Sequence, residues 1–346
     1  MAAAAHPDPT PTERTAARFP EIDRGTDHYE SFYLRAAHPS KPLGVWIRHT
    51  IHMPPDEPPT GSAWFTLFDG DADEPVFAVK QTVGEAGIGT GEGDYIRVGD
   101  TLMRPGRDEG RATGLGRNAS WALAFEQGEP PLRHLKQWMY GAPVPRTKLL
   151  SPHPAASFSG TVEAGGRSVE LDGWAGMVGH NWGSQHAERW IWMNGAGFEG
   201  RGRDTWIDCG IGRIKVGPLV VPWIANGVLS LDGERHALGG PERVRATRID
   251  ERPDGARFVL NGDGIRVEGT VGAPRERFVG WVYADPDGSE HNTVNCSIAD
   301  MRLHVSLNGG APLELVSPAG ATYELGMRER DHGMEIQPFP DGGPVA

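Results

Sequence analysis

The segment Gly173–Asn194, GWAGMVGHNWGSQHAERWIWMN, holds four of the chain's eleven tryptophans and two of its thirteen histidines. Imidazole changes charge near neutral pH and can take or give a proton. Indole rings make apolar walls, and their faces attract cations. A second group follows closely in Trp206-Ile207-Asp208. A carboxyl group buried among aromatic rings has its pKa raised and can stay protonated near neutral pH. Asp208 is therefore the expected proton donor and His180 the expected base or orienter. Trp182, Trp190, Trp192 and Trp206 would form the wall. The chemistry that suits such a set is acid–base work on an alkene, through a carbocation-like or polarised state.

These side chains need rigid elements to hold them, and the sequence offers strands. GVWIRHTIHM (44–53), SAWFTLFD (62–69), PVFAVKQTV (75–83), DYIRVGDTLMR (94–104) and NASWALAFE (118–126) are short, aromatic or β-branched, and bounded by Gly, Pro and Asp. The texture returns after residue 188, with NGDG and DPDGS as turn signals. PPLRHLKQWMYG (130–141) is the best candidate for a short helix.

Side chains two apart on a strand share a face. Trp46, Arg48, Thr50 and His52 thus share one. So do Trp190, Trp192 and Asn194, and so do Trp206 and Asp208. A face mixing Trp with His, Asp, Arg and Asn is poor material for a dry core, since buried polar groups need partners. It suits the lumen of a ligand-holding β-barrel. The bland alternative is a core whose indole N–H groups find carbonyl partners.

The chain has 346 residues, enough for two domains, with 48 Gly and 29 Pro spread along it. WIRHTI (46–51) and WIDCGI (206–211) suggest two similar halves, joined by the Pro-, Ala- and Ser-rich KLLSPHPAASFSG (148–160). The formal net charge is −12 with no basic stripe, which argues against a nucleic-acid partner. No apolar run is long enough for an integral membrane span. Only Cys209 and Cys296 occur, too few for a disulfide framework. With a leader that lacks signal-peptide character, the expected location is cytoplasmic.

Other chemistries lack their markers. No metal site is expected: His49 and His52 fall on opposite strand faces, His180 and His186 flank a turn, and no HExxH or paired-Cys spacing occurs. GIGTGEG (87–93) lacks the strand–helix context of a nucleotide loop, and there is no GxSxG elbow.

GHNWG followed by WIW, and ESFYLRAAHPSKPLGVWIRHTI followed by AWFTLFD, resemble the lipocalin-like group containing carotenoid 1,2-hydratase, tocopherol cyclase and AttH-like proteins. The pattern covers residues 28 to 330 and is specific at Glu30 to Ile51, Gly179 to Trp192 and Trp206 to Asp208. It implies two lipocalin-like barrels in one chain. The hydratase's His-x-Trp element matches His180-Asn181-Trp182, and its downstream aromatic and acidic positions match Trp206 and Asp208. Gly179 stands where the hydratase has an acidic residue and Asn181 where it has Gln. Asn181-Trp182-Gly183 is instead similar to the cyclase.

The resulting expectation is an all-β protein: a disordered leader (1–27), an N-terminal barrel (28–165) and a C-terminal barrel (166–346). Its function would be a hydratase, cyclase or isomerase working without a cofactor on a small hydrophobic ligand, terpenoid or polyketide-like. Trp46, Arg48, Trp182, Trp190, Trp192, Asn194 and Trp206 would contact the ligand. Glu30, Asn181 and Glu188 are secondary candidates, with Glu30 and Arg48 also a candidate ion pair between the halves. A non-catalytic carrier of the same ligand, and an interaction scaffold without a cavity, are the alternatives.

Overall fold

The structure, a computed structural model, describes residues 15–216 and 219–339. Strands make up 61% of it and helices 5%, so the all-β reading holds. PPLRHLKQWMYG forms no α-helix, only the two-residue strand Leu132–Arg133 and the 3-10 turn Gln137–Tyr140. Pro130 and Pro131 lack the N–H a helix interior needs.

Two large antiparallel sheets dominate. In the first, the strands run Val76–Gly84, Thr60–Asp69, Leu43–Met53, His28–Ala37, Arg167–Gly183, Thr147–Ala164, Arg117–Gln127 and Arg107–Gly114, then three short strands. The sheet curls until its ends meet: Thr113 N–H donates to Gln81 Oε1 (2.9 Å) and Arg117 Nη1 to the Ala78 carbonyl (3.2 Å). The second runs Glu234–Gly239, Ile224–Leu231, Trp206–Arg213, Arg189–Gly195, Leu313–Met327, Glu290–Leu307, Ile265–Gly272, Gly255–Gly262 and Arg248–Arg252. Its seam brings Gly262 against the Ala237 carbonyl, where a side chain would not fit.

The strand order is the same in both sheets when Leu43–Met53 is matched with Trp206–Arg213. WIRHTI and WIDCGI thus occupy equivalent strands, and Arg48 and Asp208 equivalent positions. The strand Arg167–Gly183 pairs with both His28–Ala37 and Thr147–Ala164. The expected boundary at residue 165 therefore falls in a turn inside the first sheet, and the second sheet begins at Arg189. KLLSPHPAASFSG, read as the connecting stretch, lies within the strand Thr147–Ala164 of the first sheet; long-range pairing, not local composition, decides which sheet a strand joins. Residues 1–14 of the expected leader lie outside the described residues. The rest of it is folded: Phe19 is buried, and its N–H donates to Glu30 Oε2 at 2.7 Å.

Alternation correctly groups the side chains, but their direction differs from the lumen expectation. Each barrel is filled by the opposite faces, mainly aliphatic and aromatic with a few polar groups. His49, on the face of Val45, Ile47 and Ile51, crosses the first barrel to Asp108 Oδ1 (3.0 Å) and Thr101. Tyr323, paired with Met193, reaches across the second to the Arg252 carbonyl (2.8 Å). The mixed faces point outward and meet each other. Tyr33 packs edge-on against Trp192 (centroids 5.0 Å), Trp64 against Tyr283 (5.5 Å), and Trp46 lies beside Trp281 (6.5 Å). Arg35 Nε donates to Thr322 Oγ1 at 2.9 Å. Some polar groups on these faces find partners on the other barrel, as Arg35 does in Thr322 and Ser151 in Asp208, so part of the titratable machinery lies between the barrels.

Candidate functional site between the barrels

Arg48 and Tyr283 stand at the centre of this interface. The Arg48 guanidinium carbon lies 4.0 Å from the Tyr283 ring centroid and 5.5 Å from that of Trp64, both cation–π distances. Tyr283 Oη donates to Glu324 Oε2 (3.0 Å), while Trp190 Nε1 donates to Glu324 Oε1 (3.0 Å). A cavity of ≈ 20 Å³, room for about one water molecule, is lined here by Tyr29, Arg48, His52, Trp64, His186 and Tyr283 among others. Three of these residues carry buried polar atoms without a hydrogen-bond partner in the protein: Arg48 Nη1, His52 Nε2 and His186 Nε2. Buried polar atoms are normally paired, and the cavity these three residues line has room for a polar guest.

Asp208 anchors a second unit on the same interface. Its Oδ2 accepts from Ser151 Oγ (2.5 Å) and its Oδ1 from Trp192 Nε1 (3.1 Å). His134 Nε2 lies 3.0 Å from Ser151 Oγ and 3.4 Å from Asp208 Oδ2, while its Nδ1 is 3.3 Å from the Asn226 carbonyl. Burial alone would lower the His134 pKa, but the adjacent Asp208 carboxylate outweighs it and holds the imidazole above its ordinary value. His134 is thus suited to carry a proton near neutral pH. Tyr33 connects the two units electrostatically. Burial raises its hydroxyl pKa most, the charges of Asp208 and Glu324 add to this, and Arg48 opposes it.

His180 is not part of either unit. It points into the first barrel, stacked on Phe32 (3.9 Å) and Trp182 (4.5 Å). Its Nε2 lies 2.6 Å from Glu30 Oε1. Burial holds the His180 pKa below its ordinary value despite Glu30, so it is neutral and donates Nε2–H. Burial also works to raise the Glu30 pKa, but hydrogen bonds from His180, His28 and the Arg18 N–H prevail and hold it at about 2. The structure therefore gives His180 the carboxylate Glu30, and Asp208 the histidine His134.

The remaining expected residues divide similarly. Trp192 touches Asp208, and Asn194 donates to the Ile207 carbonyl (3.1 Å). Trp206 is fully buried, with the Arg235 guanidinium carbon 5.1 Å from its ring centroid. Trp182 lies under Arg18 at the mouth of the first barrel (5.1 Å), and Asn181 accepts from Ser31. Glu188 pairs with Arg328 (3.5 Å) on the half-exposed rim. The candidate Glu30–Arg48 ion pair does not form: they lie on different faces, and Arg48 meets Tyr283 instead.

Sequence reasoning missed His134, Ser151, Tyr283 and Glu324, which have no local pattern and are recruited by pairing across the barrels. It also missed a histidine–carboxylate group in the connection between the sheets. Asp285 Oδ1 lies 2.6 Å from His186 Nδ1 and accepts from the His186 N–H (2.8 Å). Its Oδ2 accepts from Ser289 Oγ (3.1 Å) and lies 3.6 Å from His291 Nδ1. Against the cost of burial, His186 holds the Asp285 carboxyl at about 2; burial pushes His291 down to about 3. A larger cleft of ≈ 270 Å³ opens elsewhere between the barrels, floored by Ala155, Ala156, Ala175 and Ala196. Its charged residues are solvated at the rim, so it lacks convergent buried chemistry.

Fold and site together define a protein of two lipocalin-like barrels with an aromatic, titratable seam between them. It is similar over its length to a solved structure from Nitrosomonas europaea described as an AttH candidate: 15% identity, 94% of this chain and 98% of that one, TM-score 0.57. It is more distantly similar to kievitone hydratase from Nectria haematococca, at 8% identity, 86% and 88% coverage and a TM-score of 0.49. Uncharacterized proteins from two strains of Mycobacterium tuberculosis are 24% identical over 312 residues, 86% of each chain. No family model matches the chain. The resemblance read from the sequence is thus borne out as a fold.

Proposed function

We propose that the protein is a hydratase, cyclase or isomerase that binds a mainly apolar small molecule between its barrels and acts on it by acid–base chemistry. The observation that carries this reading is that Arg48, His52 and His186, each with a buried unpartnered nitrogen, line one aromatic-walled cavity between the barrels; at ≈ 20 Å³ it seats a polar group, and the barrels would part to admit the apolar body. Trp64, Tyr283 and Trp190 would hold the apolar body, and Arg48 its polar end. The His134–Ser151–Asp208 unit would deliver a proton to one alkene carbon, leaving positive charge on the other. The faces of Tyr33 and Trp192 would stabilise that charge. The cation would then be quenched by water, by a second π bond, or by loss of a neighbouring proton, giving hydration, cyclisation or isomerisation. In this reading Asp208 still takes part in proton transfer, but as the carboxylate beside His134 rather than as the protonated donor, and its partner is His134 rather than His180.

The test begins with native mass spectrometry of protein purified from its own host, to identify a bound apolar molecule, followed by assay of its conversion. Asp208→Asn keeps the shape but not the proton exchange, so turnover should fall by about a hundredfold or more with affinity little changed. Trp192→Ala should mainly weaken binding. Turnover intact in Asp208→Asn would sink the acid–base assignment; binding without any turnover would make the protein a carrier.

A further inference from the structure

The connection between the two sheets crosses the interface at Ser184–Glu188, and His186 lies on it with its side chain 7% exposed. Across from it, Asp285 and His291 flank the turn that joins Val279–Ala284 to Glu290–Leu307. One ring nitrogen from each histidine and one Asp285 oxygen all lie within 4.8 Å of one another. His291 has 0% exposure, yet neither of its ring nitrogens makes a hydrogen bond of normal geometry. The Ala187 carbonyl is near enough to favour its proton without completing such a bond. A wholly buried imidazole with both nitrogens unserved is costly unless something else binds it.

We propose that His186, Asp285 and His291 bind a divalent first-row transition cation of the zinc class. Two imidazoles and one carboxylate are a ligand set for such ions. At bond lengths of about 2.0–2.1 Å, donor atoms of a tetrahedral site stand about 3.3 Å apart. His186 Nδ1 lies 2.6 Å from Asp285 Oδ1 and His291 Nδ1 3.6 Å from Asp285 Oδ2, and with one atom taken from each residue the three donors lie within 4.8 Å of one another. Adjustments of about an ångström, with the His186 ring proton on Nε2 so that Nδ1 can ligate, would form the site. Asp285 is already oriented by the Ser289 hydroxyl and the His186 N–H, the outer support that ligating carboxylates need. Stacking of His186 on Tyr29 (4.1 Å) and Trp190 (5.1 Å) fixes its ring plane. The ion would fasten the inter-barrel connection to the second barrel, beside the cavity that His186 lines. The site shares His186 with that cavity, but metal retention reads it without any assay of the proposed reaction.

The experiment uses full-length, tag-free protein stripped with EDTA, then titrated with zinc chloride and, separately, cobalt chloride. Metal retained after gel filtration is counted, and the cobalt form is read by its visible absorption. Wild type should retain about one zinc per chain, give an imidazole-ligated cobalt spectrum and melt at a higher temperature with zinc. His291→Ala and His186→Ala, checked for folding by circular dichroism, should each bind at least about tenfold more weakly and lose the zinc-dependent rise in Tm. His304→Ala, on the exposed surface, should behave as wild type. Failure of wild type to retain zinc overturns the proposal whatever the variants do. Equal retention by folded His186→Ala and wild type overturns it too.

Discussion

Glu30, which also lines the small cavity, shows how firmly the fold holds a residue selected for chemistry. Its carboxylate is fully buried and accepts from His180, from the N–H groups of Arg18 and Phe19, and lies 3.5 Å from His28. These partners hold its pKa at about 2, against 4.5 when unperturbed. Its folded value lies below its unfolded one, so its stabilisation is complete above about pH 4.5 and disappears as pH falls towards 2. Glu30→Gln should cost on the order of 3 kcal/mol at pH 7, and the gap from wild type should close on acidification through that window. Urea denaturation of both proteins from pH 7 to pH 2.5 measures this. A gap that stays constant with pH would show that Glu30 contributes shape and not charge. The types and spacing of Glu30, His180 and Asp208 were legible in the sequence. Their pairing was not, because His180 and Asp208 sit on strands of different barrels whose facing sides alternation does not reveal.

At the scale of elements, the glycines of GHNWG explain themselves by what lies over them. Gly179 pairs with Tyr33, whose ring covers it so closely that any Cβ would overlap the ring. The missing side chain lets Tyr33 stand against Trp192 in the other barrel. Gly183 similarly lies on the Arg146 carbonyl. Gly179→Val should force Tyr33 out of its place and destabilise the protein by about 1–3 kcal/mol, the usual cost of overpacking. It should also weaken ligand binding, since Tyr33 and Trp192 form part of the wall. Chemical denaturation and ligand titration read the two effects; an unchanged midpoint would contradict the packing argument. Strand positions and the WIR/WID repeat were readable from periodicity. The membership of Arg167–Gly183 in the first sheet was not, because its partner His28–Ala37 lies well over a hundred residues away in sequence.

The whole molecule places the mainly apolar faces inside each barrel and the mixed faces against one another. A lone barrel would expose Trp46, Trp64 and Tyr33 to water, so burying these faces couples the two barrels to each other. That is why a face with too many polar groups for a dry core can still be buried: Arg35 meets Thr322, Ser151 meets Asp208, and Arg48 meets Tyr283. Binary pattern revealed that these faces were special. Only the docking of one barrel on the other shows that the special space is the seam and not a lumen. Where the ligand lies therefore separates seam from lumen, and a crystal structure of the protein with the molecule recovered from its host shows it. The ligand should lie between the barrels, with its polar end at Arg48 and its apolar body against Trp64 and Tyr283. A ligand inside either barrel, among Phe32, Phe65 and Trp121 or around Tyr323, would contradict the account.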